Sequence, residues 1–236
     1  MNLLLIEESE LAPDGTAVVV GERAEHLRKI LKASPGESVS AGLIDRGVGR
    51  AEILKLEPGK AELRLVIEKP GDRLYPLTLA VGMSRPIQVK RILKTASSMG
   101  VEEIRFVPTD LGENSYRRAK IWEEYRRHLI EGAAQGGICY LPRVISHQKR
   151  EDLVEETAGF PHRLFFDLAP ERPAAPLEPG RRALLLIGSE RGWTDSERRY
   201  YLEAGFEARG LGRRILTTET AATAALALSL RELGLI

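Results

Sequence analysis

Two rhythms of apolar and polar positions run along the chain, and they change over near residue 70. Before it, short β-rich runs alternate with turns. TAVVV at 16–20 is a β-branched run, and ESVSAGLI at 37–44 follows a Pro35–Gly36 turn. GRAEILKLE at 49–57 alternates imperfectly. ELRLVIEK at 62–69 alternates cleanly, with Leu63, Leu65 and Ile67 on one side. EHLRKIL at 25–31 reads as one short helix, and Gly36, Gly42, Gly47, Gly49 and Gly59 punctuate the segment. So many strands in so short a stretch predict a small barrel, because closure satisfies edges that an open sheet would expose. The run Glu68–Asp72 marks the boundary, giving domains at 1–70 and 71–236.

Beyond that boundary strands and helices alternate. LTLAVG at 77–82 is a continuous apolar run, as a parallel strand needs when both faces are covered. Ser84 and Pro86 then suit a helix start, followed by a stripe of Val89, Ile92, Leu93, Ala96 and Met99. Further strands are predicted at 103–107, 140–144, 163–167, 183–188 and 206–211. Helices are predicted at 117–134, 147–158, 194–205 and 218–233. Thr194 with Glu197 three residues later forms a capping box. This order predicts an α/β domain with a mostly parallel sheet. Ligands in such sheets sit beyond the carboxyl ends of the strands, which directs attention to the loops Gly188–Gly192 and Leu211–Leu216.

Composition narrows the function. Of 236 residues 43% are hydrophobic and 29% charged, enough apolar material for a core without disulfides. Cys139 is the lone cysteine and the four histidines have no ligand spacing, so no metal is expected. The apolar start is too short for a signal peptide and no run is long enough to span a bilayer, so a cytoplasmic protein without membrane contact is expected. The net charge of +1 divides into −2 over residues 1–70 and +3 over the rest. Nucleic-acid binding would therefore rest on local patches. Candidates are Arg28, Lys29 and Lys32, then Arg85 and Arg91, with a plain solvated helix face as the bland reading of each.

The two loops carry the candidate chemistry. GSERG at 188–192 brackets a turn with glycines that allow close approach of a ligand, but it is neither GxGxxG nor a P-loop. In LGRRILTTETAATAA at 211–225 the last helix begins on small residues, which leaves room for a ligand or a partner backbone. An ordinary buried terminal helix leaves its paired threonines and glutamate unexplained.

These segments resemble the bacterial 16S ribosomal RNA (uracil-N3)-methyltransferase family of the SPOUT superfamily. LLLIGSERGWTDSE is similar to the family's apolar strand followed by glycine, glutamate and glycines. LGRRILTTETAATAA is similar to its LG-x-RIL-R-TETA motif, and HLRKILKASPGE at 26–37 to its histidine-plus-VLR segment. The motifs occur in family order along essentially the whole chain. The resemblance implies a PUA-like N-terminal β-barrel and a SPOUT-type trefoil-knotted catalytic domain. It also implies a homodimer that methylates N3 of a uridine in 16S rRNA of the small ribosomal subunit. S-adenosylmethionine would be held by Gly188, Ser189, Glu190, Gly192, Leu211, Gly212, Ile215, Leu216, Thr218, Thr220 and Ala221.

The chain also departs from the pattern. Thr217 replaces an arginine before TETA, Arg191 a glycine, and Lys32 an arginine, while Ala134 and Ile138 replace a glutamate and an arginine. For the chemistry, Glu190 or Glu219 could take the N3 proton, and Arg85, Arg191 or Arg214 could stabilise the resulting charge. A paralogue acting on another RNA, or a catalytically weak ribosome-assembly protein, are the competing readings.

Overall fold

The computed structural model describes residues 2–168 and 175–236. The chain divides into two compact units, Met1–Arg73 with Ile130–Leu141, and Leu74–Leu129 with Pro142–Ile236. The first unit therefore ends close to the predicted boundary but also draws in a segment that the sequence reading left in the second domain.

In the first unit the strands are β1 (Leu4–Ile6), β2 (Thr16–Val20), β3 (Ser38–Leu43), β4 (Gly47–Glu57) and β5 (Lys60–Pro70). Their order is β1-β3-β4-β5-β2, all antiparallel except the parallel β1–β3 pair. β1 was missed from sequence because three residues show no period. Between β2 and β3 the chain makes one turn of α1 (Glu22–Glu25), then a π-turn over His26–Ile30 that Leu31 closes onto the His26 carbonyl at 3.0 Å. Lys32, at φ 51°, turns the chain away in the left-handed region. Leu4, Ile6, Val19, Leu27, Ile53 and Leu63 build the core of this unit.

The predicted PUA-like barrel is corrected here. β1 and β2 are the two ends of the sheet, and no register joins them among the described residues. The β1 end is covered by other means. Leu3 and the adjoining Asn2 donate their amides to the Ala134 carbonyl, both at 3.0 Å, and Leu3 and Leu5 pack against Ala133, Ala134 and Cys139. Covering an edge removes its unpaired groups from solvent as closure would. Ala134 thus serves this packing, whatever its departure from the family pattern.

The second unit is a six-stranded sheet of order β11-β9-β10-β6-β7-β8, parallel at every pairing. Its strands are β6 (Tyr75–Gly82), β7 (Val101–Val107), β8 (Arg143–Ser146), β9 (His162–Asp167), β10 (Ala183–Ile187) and β11 (Glu207–Gly210). The helices are α2 (Pro86–Ser98), α3 (Ile121–Gly136), α4 (Arg150–Glu156), α5 (Asp195–Glu203) and α6 (Thr218–Glu232), and α3 belongs to this unit only as far as Leu129. Pro142 delays β8 relative to the predicted 140–144, since proline has no amide for the ladder. The Thr194–Glu197 capping box forms as predicted, with Thr194 Oγ1 accepting from the Glu197 amide. β10 lies between β6 and β9 and is wholly buried. Its Leu184 and Leu186 meet Leu153 of α4 and Tyr201 of α5, whereas α6 packs against β10 and β6. Each such fully buried leucine contributes about 2 kcal/mol of hydrophobic stabilisation. The SPOUT-type trefoil knot implied by the resemblance is withdrawn. A knot is a matter of chain threading, which hydrogen-bonded register does not encode, and these pairings describe a mixed α/β fold with a parallel sheet.

Candidate functional site

The carboxyl ends of β6, β7, β9 and β10 converge on one edge of the parallel sheet, and the loops leaving them set its geometry. Gly82 ends β6. A Cβ there would lie 2.5 Å from the Ser189 amide nitrogen and 2.7 Å from Thr109 Cγ2, so only glycine lets these loops meet. Gly188, the residue after β10, is also closely packed, a Cβ meeting Trp193 Cε2 at 3.2 Å. Gly192, at φ 71°, closes the turn by donating its amide to the Ser189 carbonyl at 2.9 Å.

A cleft of about 350 Å³ opens at this edge, within the range of small-molecule sites. One wall is the Gly188–Gly192 loop, and the facing wall is Leu211, Gly212, Arg214, Ile215 and Leu216. Thr218 and Ala221 of α6 form the floor between them. Gly212 has φ 99° and open space around a would-be Cβ, so the demand for glycine there is conformational and not steric. Ser189 is buried at 7% exposure, and its hydroxyl has no partner among the described residues.

Of the residues singled out from the two loops and the start of the last helix, Thr220 and Glu219 stand outside the cleft lining. Thr220 Oγ1 is 2.8 Å from Thr217 Oγ1. Glu219 joins α6 to α2: its carboxylate accepts from Arg91 Nη1 at 2.8 Å, and the Gln88 amide, turned nitrogen-first, completes the pairing. Burial alone would raise the Glu219 pKa. Its own amide, the Thr217 hydroxyl and the Arg91 guanidinium outweigh that and hold it below the ordinary glutamate value. Arg91 is thereby committed to a carboxylate.

Glu190 does line the cleft, but its carboxylate is also engaged. Oε1 accepts the backbone amide of Arg85 at 2.7 Å, tying the cleft loop to the start of α2. The Arg85 side chain hydrogen-bonds Tyr116, and that bond, with the Tyr116 and Glu190 charges, raises its pKa further. Arg191 and Arg214 line the cleft and make no ion pair among the described residues. In the first unit Arg28 and Lys29 share one carboxylate, Glu25, at 2.9 and 2.8 Å. Those two bonds and the Gly59 amide hold the Glu25 pKa down to about 2.

Sequence reasoning missed Phe166, Asp167, Leu168, Ile187, Trp193 and Arg198, which also line the cleft. Asp167 was findable as a carboxylate at the end of a predicted parallel strand. Arg198 was not, because it reaches the cleft from the middle of α5. Among the described residues no three His, Cys, Asp or Glu side chains converge to hold a metal.

Comparison with known proteins fixes the lineage. Residues 72–230 match the RNA methyltransferase domain family. Ribosomal RNA small subunit methyltransferase E of Treponema pallidum is 36% identical, covering 98% of this chain and 91% of its own. The chain belongs to this methyltransferase family. A second member, ribosomal RNA small subunit methyltransferase E 1 of Borreliella burgdorferi, is 31% identical over 95% of each chain. The crystal structure of the Neisseria gonorrhoeae methyltransferase E bound to S-adenosyl methionine superposes with a TM-score of 0.74, at 25% identity and 97% coverage of both chains. Membership of the methyltransferase E family replaces the wider labels drawn from the resemblance. The matches are to RNA methyltransferase and methyltransferase E, and they support neither a SPOUT, nor a trefoil-knot, nor a PUA-like assignment.

The Glu190–Arg85 bond yields a test that needs no ligand. Glu190→Ala should speed amide hydrogen exchange at Arg85 about tenfold, while Glu190→Gln, which keeps a carbonyl acceptor, should stay near wild type. Unchanged exchange in the alanine variant would remove Glu190 as the strut between the two loops.

Proposed function

We propose that this protein transfers a methyl group from S-adenosylmethionine to N3 of a uridine in 16S rRNA, with the cofactor in the cleft between Gly188–Gly192 and Leu211–Leu216. The observation that carries this reading is the cleft itself, in a chain of the small-subunit methyltransferase E family. Its residues suit the cofactor. Glycine-rich backbone allows close contact, and Ile187, Leu211, Leu216 and Ala221 offer apolar surface.

When bound, S-adenosylmethionine supplies an electrophilic methyl group on a sulfonium. The protein must align the uracil nitrogen with that methyl and exclude water. Uracil N3 carries a proton that has to leave. Glu190 and Glu219 each serve as a strut, to the Arg85 amide and to Arg91, but the bond on Glu190 Oε1 leaves acceptor capacity on a carboxylate that lines the cleft, so Glu190 takes the N3 proton. Arg191 and Arg214 stabilise the charge that develops on the uracil as the proton departs to Glu190. Arg85, at the start of α2 beside Tyr116, stands ready to orient the nucleotide.

The enzyme works as a homodimer in the bacterial cytoplasm, where its rRNA substrate is assembled. Ile87 on α2 is 54% exposed and Leu228 on α6 is 58% exposed, and these two helices pack together. Apolar side chains on paired helices suit a two-fold contact with a second copy. In the first unit, Lys32 and the Arg28–Lys29 pair contact phosphates, restrained by Glu25.

Incubation of the purified protein with small-subunit rRNA and the cofactor should leave a methyl on one uridine N3, read as a reverse-transcription stop. Gly212→Val, forced off φ 99°, should weaken cofactor binding about tenfold or more while leaving RNA binding near wild type. A folded Gly212→Val protein with unchanged cofactor affinity would defeat the site assignment, and methyl found on another atom would defeat the target.

Glu25→Gln releases Arg28 and Lys29 while keeping an acceptor for the Gly59 amide. RNA binding should tighten, and its logarithmic salt slope should steepen by about 1. Equal slopes would take this helix out of the RNA contact. Sedimentation across micromolar concentrations should give a dimer, and Ile87→Glu with Leu228→Glu should give a monomer. A wild-type monomer would refute the two-fold contact.

A further inference from the structure

One polar pair in the cleft has no part in the chemistry derived above. Asp167 is the last residue of β9, and Arg198 reaches it from α5. Asp167 Oδ2 accepts from Arg198 Nε at 2.5 Å. Oδ1 accepts the Leu168 amide at 2.8 Å and faces Arg198 Nη2 at 3.5 Å. Arg198 Nη1 is held in turn by Asp195 Oδ1 at 2.8 Å. The neighbouring strand end is fixed too, since Trp193 Nε1 donates to the Phe166 carbonyl at 2.8 Å. The carboxylate is thus oriented from two sides before any ligand arrives.

Its remaining capacity can be counted. A carboxylate has about four acceptor positions. Arg198 and the Leu168 amide take three of them, two on Oδ1 and one on Oδ2. Among the described residues that leaves a lone pair on Oδ2 of a residue that lines the cleft. A carboxylate accepts only, so the ligand group opposite must be a donor. The Arg198 guanidinium already neutralises its charge, so a ligand cation gains little there, whereas a neutral hydroxyl gains a charge-assisted hydrogen bond. Leu168 and Ile215 line the same cleft while 49% and 86% exposed, apolar surface suited to the flat ring of a nucleoside.

We propose that Asp167, oriented by Arg198, is the residue that recognises the cofactor's ribose, its Oδ2 accepting one ribose hydroxyl. This rests on the reading that the cleft holds S-adenosylmethionine, and it assigns a nucleoside end to the β9 side of that cleft. Arg198 is a positioning residue, acting on the ligand through Asp167.

The test is calorimetric titration of the full-length protein with S-adenosylhomocysteine and with its 2′-deoxy and 3′-deoxy ribose analogues. Wild type should bind one deoxy analogue about tenfold or more weaker than the parent. Asp167→Ala should bind the parent about as weakly as wild type binds that analogue, and it should no longer tell the two apart. Asp167→Asn, which keeps an acceptor oxygen, should recover part of the discrimination and guards against a folding defect in the alanine variant. Arg198→Met should keep Asp167 but lower the discrimination severalfold. If Asp167→Ala discriminates as strongly as wild type, Asp167 is not the ribose partner. Undiminished discrimination in Arg198→Met overturns the positioning role. Failure of wild type to bind S-adenosylhomocysteine at all overturns the cofactor reading first, and this assignment with it.

Discussion

The cleft depends on how closely two backbones approach at the ends of neighbouring parallel strands. β6 and β10 lie side by side in register, Val81 opposite Ile187, so the loops that leave them start from the same place. Gly82 removes the one atom that would hold them apart, because a Cβ there would sit 2.5 Å from the Ser189 amide. Parallel strands alone would give two loops above a sheet edge. The missing side chain lets one loop rest on the other, and Glu190 can then reach the Arg85 amide. The site is a consequence of packing at a single position, with hydrogen bonds locking what the packing permits.

Charges are used in the same structural way. Glu190 closes onto an amide, Glu219 onto Arg91, and Asp167 onto Arg198. Further from the cleft, buried Arg105 is bound by Glu103 and Glu156 and faces His147 Nε2 at 3.2 Å. His147 is desolvated and lies beside that guanidinium, and both effects lower its pKa and keep it neutral as the acceptor. Breaking such a buried pair by removing one partner costs about 3–5 kcal/mol, since the other charge is left uncompensated. Arg191 and Arg214 line the cleft without an ion pair among the described residues.

Much of this architecture was legible in the sequence because parallel strands covered on both faces read as unbroken apolar runs. ALLLI at 183–187 and LTLAVG at 77–82 are such runs, and they became adjacent central strands. The paired loops were legible because glycines and small residues cluster where side chains must be absent. Three things were not. β1 is too short to show a period, and its sheet edge is covered by residues more than 120 positions away, so an open sheet read as a barrel. The bonds of Glu190 to the Arg85 amide and of Glu219 to Arg91 were hidden because a sequence shows the carboxylate and not its partner. Asp167 and Arg198 are 31 residues apart on different elements, and only the fold brings them together. The SPOUT, knot and PUA-like labels came with the resemblance, and neither strand pairing nor the matched family carries them.

The arrangement also accounts for why a residue as exposed as Arg191 can stand where the family pattern has glycine. The backbone demand in that loop falls on Gly188, packed against Trp193, and on Gly192, at φ 71°. Position 191 lies between them with no positive φ and with its side chain at the cleft. A second glycine there is therefore not required for the turn. A guanidinium at that point adds positive charge at the cleft without disturbing the backbone that shapes it. The departure is conservative toward the fold because the turn's conformational demand and its cleft-facing side chain fall on different positions.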